Sequence, residues 1–400
     1  MSALTRRRGA GGQDLVVDDA SSVPAPTSGP GVPLLEVRDL HTSFKSERGL
    51  VRAVDGVSFT LEQGRTIGIV GESGSGKTVL SRSVMGLLPG SNVVREGSVR
   101  FEGREIGHLG ARDMRDVWGA QIAMVFQDPM TSLNPVVKIG RQITEGLRHH
   151  LDLDKRQARE TAIALVRSVG IPEPERRLEQ YPFELSGGMR QRVTIAIAIS
   201  CGPKLLLADE PTTALDVTVQ AQILNLMQDK QRERHMAMIL VTHDLGVVAG
   251  RADQIAVMYA GKIVETAPTA TLFGQVRHPY TEALLKSIPR TTDPSHTRLT
   301  ALGGRPPDLV SPPPGCRFAP RCPYAQDRCH VDEPPLVPDA TGLHAWACWY
   351  PVGTPEGAAA LEHNLSAGRP QTRIAVEGGA DAARLADAAA AAETAGLGPA

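Results

Sequence analysis

Gly71, Gly76, Lys77 and Thr78 stand in the stretch GESGSGKT with the spacing G-x-x-x-x-G-K-T. Glycines lack the Cβ that keeps a bulky anion off the backbone, so such a loop can curl its N–H groups around phosphate oxygens. Ser73, Gly74 and Ser75 complete the loop, and TVLSRSVMGLL behind it predicts a helix whose positive N-terminus faces the same anion. Lys77 would neutralise β- and γ-phosphates, and the Thr78 hydroxyl would ligate Mg²⁺. A bare Gly/Ser turn would not need a lysine and a threonine in register between an apolar strand and a helix.

LLLADE supplies a second half: an apolar strand carries Asp209 to its end, where it can hold Mg²⁺ through water. Glu210 follows, where a carboxylate can polarise an attacking water. An acidic pair after a strand is ordinarily a solvated loop; beside a phosphate loop it is far more specific. LSGGMRQR places Ser186, Gly187 and Gly188 at another helix start suited to phosphate. One nucleotide needs one such loop, so a second points to two subunits arranged head to tail.

Cys316, Cys322, Cys329 and Cys348 are separated by five, six and eighteen residues. Four thiolates can ligate a [4Fe–4S] cluster or a structural Zn²⁺. Zinc sites favour tight C-x₂₋₄-C pairs, which are missing here, and looser spacing suits the larger cubane. The plain alternative is reduced cysteines packed in a Pro-rich loop. Arg317 and Arg321 are candidates to stabilise an anionic cluster, and His330 and His344 are spare ligands. Cys201 stands apart and is expected to be a buried thiol.

Composition sets the frame. The 400 residues carry 43 basic and 44 acidic side chains, a net charge of -1, which disfavours a nucleic-acid partner. No apolar run reaches the length of a membrane span, and no apolar segment follows the N-terminal arginines, so a cytoplasmic protein is expected. Any membrane role must come through a partner.

Along the chain, residues 1–33 read as a disordered Gly/Pro/Ser lead-in. PLLEVRDLHTSF and RAVDGVSFTLEQG alternate apolar and polar residues, as strands of a half-exposed sheet do. RTIGIVG, PKLLLADEP and MAMILVTHD are apolar runs expected of buried parallel strands, and DQIAVMYAGKIVETA reads as a hairpin turning at AGK. The pattern is helical from about 128 to 190. The sum is an α/β core at 34–266 with an antiparallel β subdomain and a helical subdomain, then a Cys-rich C-terminal extension at 267–352. Residues 353–400, with AARLADAAAAAETA, read as a disordered Ala/Gly-rich tail.

In order, the phosphate loop, LSGG and LLLADE resemble the ATPase subunits of ABC transporters over about residues 34–350. The resemblance implies a P-loop NTPase that binds and hydrolyses ATP to ADP and phosphate. It implies that Gln127 in MVFQDP senses Mg²⁺ and the γ-phosphate. It places Asp216 of TALD between two ATPases, makes His243 of VTHD a γ-phosphate contact that positions Glu210, and puts Phe44 where an aromatic stacks on adenine. FQDPMTSLNPVVKIGRQITE, RHPYTEALLKSIP and GCRFAPRCPYAQDRC with HAWACW narrow the likeness to the D-type ATPases of dipeptide/oligopeptide permeases, a group that includes nickel importers. That likeness also favours iron–sulfur. It implies two transmembrane permease subunits, a second ATPase subunit in a heterodimer, an extracytoplasmic peptide-binding protein, and a peripheral place on the cytoplasmic face of the cell membrane. Phe183 stands where the group commonly has histidine. Non-transport ABC ATPases commonly carry two ATPase halves or a long coiled-coil insertion; this sequence shows neither. A redox-sensing regulatory protein built around the cysteines is the remaining rival.

Overall fold

The computed structural model describes residues 32–88, 90–213, 215–288 and 303–368. The lead-in up to residue 31 and the AARLADAAAAAETA stretch lie outside the described residues.

Two antiparallel strands come first, β1 (Leu35–Ser46) and β2 (Gly49–Leu61). β3 (Thr66–Val70) runs through the glycine loop into α1 (Lys77–Met85), followed by β4 (Val93–Phe101), β5 (Arg104–Glu105) and β6 (Ile122–Val125). A run of helices follows: α2 (Pro129–Ser132), α3 (Ile139–His150), α4 (Lys155–Ser168), α5 (Pro174–Arg177) and α6 (Gly187–Ile199). Then come β7 (Leu205–Asp209), α7 (Val217–Glu233), β8 (Ala237–Thr242), α8 (Leu245–Ala249), β9 (Gln254–Tyr259) and β10 (Lys262–Pro268). The C-terminal part holds α9 (Thr269–Gly274), α10 (Pro279–Lys286), α11 (Asp327–Val331), β11 (Val337–Pro338), β12 (Ala345–Trp346) and α12 (Pro355–Ser366).

One sheet has the order β2-β1-β4-β5 and is antiparallel throughout. The other has the order β11-β12-β10-β9-β3-β8-β7-β6, with β6, β7, β8, β3 and β9 parallel. β9 and β10 form the hairpin that the sequence suggests, and β11 and β12 extend it antiparallel.

The parallel strands read as unbroken apolar runs because both faces are covered. On β7, Leu205 and Leu207 pack with α1 and the antiparallel sheet, while Leu206 and Ala208 pack with α6, α7 and the C-terminal part. Burial on both sides fixes the register, so the carboxyl ends of β3, β7 and β8 align: Val70 lies opposite Thr242, and Asp209 opposite Val241. Ligands of such sheets sit beyond that edge.

The tail differs from the sequence reading. Pro355–Ser366 are a helix, not a disordered start of the tail. Thr354 caps it by accepting from the Gly357 N–H, and the buried Asn364 donates to the Pro323 and Ala325 carbonyls. Its apolar face and these side-chain bonds reach a surface that the local sequence does not announce.

Candidate functional site

The phosphate loop is forced into shape by its neighbours. A Cβ on Gly71 would lie 2.1 Å from the Met258 carbonyl oxygen of β9. A Cβ on Gly76 would lie 2.1 Å from the Ala53 carbonyl oxygen of β2, and Gly76 has φ of 100°, which L side chains rarely adopt. Two of the motif glycines are therefore there because backbone from elsewhere presses on them.

The Lys77 ammonium is buried and bridges the loop, donating to the Gly71 carbonyl at 2.7 Å and the Glu72 carbonyl at 3.0 Å. Burial lowers its pKa, opposed by the charges of Glu210, Asp209 and Glu72. Thr78 Oγ1 donates to Asp209 Oδ1 at 3.0 Å. Asp209 Oδ2 is buried with no hydrogen-bond partner, and burial raises the pKa of this carboxyl. An acceptor held in that state suits a hydrated cation, so Thr78 and Asp209 form a donor set that fits Mg²⁺.

Groups both near and far in sequence converge on Glu210. Gln127 Nε2 donates to Glu210 Oε2 at 3.0 Å, Thr213 Oγ1 donates to it at 3.2 Å, and His243 Nδ1 lies 3.5 Å away. Lys77 Nζ is 3.8 Å from Glu210 Oε1. Glu210 holds φ of 45°, the left-handed region, which stores strain at the end of β7.

Lys77, Thr78, Gln127, Glu210 and His243 line a cleft of about 950 Å³ with Ser73, Gly74 and Gly76, room enough for a nucleotide. Its far wall was not read from the sequence: Leu284 and Ser287 at α10, with Pro306 and Leu309 beyond it. The Leu309 carbonyl accepts from the Arg52 N–H of β2, tying that wall to the antiparallel sheet. No local motif signals such contacts. Phe44 pairs with Val51 and Val93 in the antiparallel sheet and is not among the residues lining the cleft.

Ser186, Gly187, Gly188 and Asp216 also lie outside it. Ser186 caps α6 by accepting from the Met189 N–H, and Asp216 caps α7 by accepting from the Val219 N–H at 2.9 Å. A Cβ on Gly188 would lie 2.9 Å from Val219 Cγ1, so the two helix starts sit side by side.

The four cysteines Cys316, Cys322, Cys329 and Cys348 line one small cavity with His278, Phe318, Tyr324 and Trp349. All are free thiols. Burial pushes Cys316 up to about 11 and Cys322 well above the usual thiol range, and it raises Cys329 and Cys348; nearby thiols add to the shift in Cys316, Cys322 and Cys348. Among the described residues, no group of three or more His, Cys, Asp or Glu is arranged to hold a metal ion.

The neighbouring candidates fall elsewhere. Arg317 is buried against the Asp55 carboxylate and the Ala260 carbonyl, and Arg321 against Glu72, so neither guanidinium is free to serve the cavity. His344 is buried 2.8 Å from Glu265, and His330 is exposed. Cys201 is half-buried rather than buried, at the end of α6.

No helix among the described residues is long and apolar enough to cross a membrane. The ABC transporter family matches residues 54–213, and the C-terminal region of the oligopeptide/dipeptide transporter family matches residues 264–329. The chain is 51% identical to the oligopeptide transport ATP-binding protein OppD of Bacillus subtilis, over 78% of this chain and 88% of that one. It is 53% identical to the dipeptide transport ATP-binding protein DppD of the same organism, over 79% and 94%. It is 48% identical to the DppD protein of Escherichia coli, over 80% and 97%. Among solved structures, the dimeric ATP-binding cassette MJ0796 bound to ADP and Pi has a TM-score of 0.53 at 24% identity, covering 59% of this chain and 98% of that one, a likeness of fold. An ATPase with this loop, this carboxylate and these relatives belongs to the ATP-binding proteins of the ABC transporter family, in the branch that carries the oligopeptide/dipeptide C-terminal region.

Proposed function

We propose that this ATPase energises uptake of dipeptides or oligopeptides across a bacterial cytoplasmic membrane. The observation that carries the chemistry is the convergence of Gln127, Thr213, His243 and Lys77 on Glu210. The cargo class comes from the relatives, whose names describe oligopeptide and dipeptide transport.

In this reading the phosphate loop (Gly71, Ser73, Gly74, Ser75, Gly76, Lys77 and Thr78) holds the triphosphate. Thr78, Asp209 and Gln127 manage Mg²⁺. Glu210 is the general base for the attacking water, and His243 steadies the γ-phosphate and Glu210. Ser186, Gly187, Gly188 and Asp216 serve the nucleotide of a second ATPase across a head-to-tail interface, which accords with their place outside this chain's own cleft. Leu284, Ser287, Pro306 and Leu309 help wall the nucleotide. Closure of the ATPase pair moves two permease subunits, and hydrolysis reopens it, with a binding protein delivering peptide from outside. The chain works from the cytoplasmic face.

Cys316, Cys322, Cys329 and Cys348 are assigned to a [4Fe–4S] cluster, with Zn²⁺ as the alternative. Four thiols lining one cavity support a shared ligand, and their loose spacing in sequence suits the larger cluster. Bound there, the cluster would supply covalent ties between the 316–322 segment, α11 and the stretch after β12.

Affinity isolation of the tagged chain from membranes tests the assembly. Two integral membrane proteins and a second ATPase should come with it. Isolation with none of them contradicts the transporter reading.

A further inference from the structure

Glu72 is the residue after Gly71 and sits inside the phosphate loop, where the Ser75 N–H donates to its carbonyl at 3.2 Å, yet two of the four groups holding it come from the C-terminal part. Its N–H donates to Tyr280 Oη at 2.7 Å. Its carbonyl accepts from Lys77 at 3.0 Å. Its carboxylate is gripped by both arms of Arg321, at 2.6 Å to Oε2 and 3.0 Å to Oε1. Arg321 is itself fixed. It is buried, its Nε donates to the Gly303 carbonyl at 2.8 Å, and its guanidinium lies 5.7 Å from the Tyr259 ring and 5.9 Å from the Phe318 ring. Bidentate pairing fixes direction as well as charge.

We propose that Arg321 is a positioning residue for ATP binding: it draws the Glu72 carboxylate away from the phosphate loop and keeps Lys77 for the nucleotide. The need follows from charge. A loop meant for a triphosphate carries a carboxylate whose charge already acts on Lys77. Freed from Arg321, that carboxylate would compete with phosphate for the ammonium and repel the incoming anion. The proposal rests on ATP binding at this loop. It adds a reason why the C-terminal part and the ATPase core are one unit: Cys322, which lines the cysteine cavity, is the next residue after Arg321.

The test is calorimetric titration of the full-length chain with a non-hydrolysable ATP analogue and Mg²⁺. Arg321→Ala should weaken binding about tenfold, and Arg321→Lys about threefold, because an ammonium keeps the charge and loses the fork. Adding Glu72→Gln to Arg321→Ala should return the affinity to within about threefold of wild type, since the competing charge is gone. Arg321→Ala binding like wild type would overturn the proposal. So would weak binding that Glu72→Gln does not relieve, because Arg321 would then act only in holding the C-terminal part together. No binding by the wild-type chain would overturn the ATP-site reading and the proposal with it.

Discussion

Gln127 and Glu210 are 83 positions apart, and the Gln127 amide donates to the Glu210 carboxylate at 3.0 Å. β6 delivers the first and β7 the second, and their parallel pairing, with Val125 opposite Ala208, brings both to one edge. The carboxylate that would activate water is therefore already aimed, by Thr213 of its own turn and by groups from three other segments. Its left-handed backbone is what this aim costs locally.

Glu210→Gln should bind ATP and lose roughly 10²–10⁴-fold in turnover, the usual contribution of a positioned base. Phosphate release from the assembled transporter measures it. Near-normal turnover would remove Glu210 from the role.

Asp209→Asn should raise the Mg²⁺ needed for half-maximal ATPase about 10–100-fold, as loss of an outer-shell carboxylate does. The buried, unpartnered Oδ2 is the reason. A magnesium titration that is unmoved by the change would refute the assignment.

Gly76→Ala and Gly74→Ala should differ. At Gly76 the new Cβ meets the Ala53 carbonyl at 2.1 Å, whereas at Gly74 nothing lies within 4 Å. Gly74→Ala therefore carries only the penalty of its positive φ, about 1–2 kcal/mol, and Gly76→Ala should abolish ATP binding. Equal losses in a binding assay would mean that the steric argument is wrong.

Asp55→Asn should destabilise the chain by about 3–5 kcal/mol, because it strands the buried Arg317 guanidinium. Burial works to raise the Asp55 pKa, but Arg317, Lys262 and His41 together bring it below the usual value. A lowered carboxylate pKa contributes stability that is full above about pH 4 and lost as the pH falls through the folded value. Urea unfolding of wild type and variant should converge in acid; a pH-independent gap would contradict the pairing.

The purified chain should carry iron and a visible absorbance band that Cys322→Ser or Cys348→Ser removes. Stoichiometric zinc and a colourless protein would favour the alternative ligand.

The loop and the acidic pair of the candidate site were legible because each is a local pattern. A glycine loop needs lysine and threonine in register, and an apolar strand ends in Asp209 and Glu210. The parallel sheet was legible for the same reason, since LLLAD and AMILVT are buried on both faces. What was missed is non-local. Leu284, Leu309, Tyr280 and Arg321 reach the nucleotide cleft or its loop across more than 200 positions, and their own neighbours in sequence carry no phosphate-binding pattern. Arg317 and Arg321 were read beside the cysteines because they adjoin them in sequence, while folding turned both toward carboxylates of the ATPase core.

The central claim is tested most directly by uptake of a labelled dipeptide, a labelled longer peptide and labelled nickel. Cells carrying the wild-type chain are compared with cells whose only copy is Glu210→Gln. Loss of peptide uptake with nickel uptake intact is the result this account predicts. Loss of nickel uptake alone, or survival of all three, would contradict it.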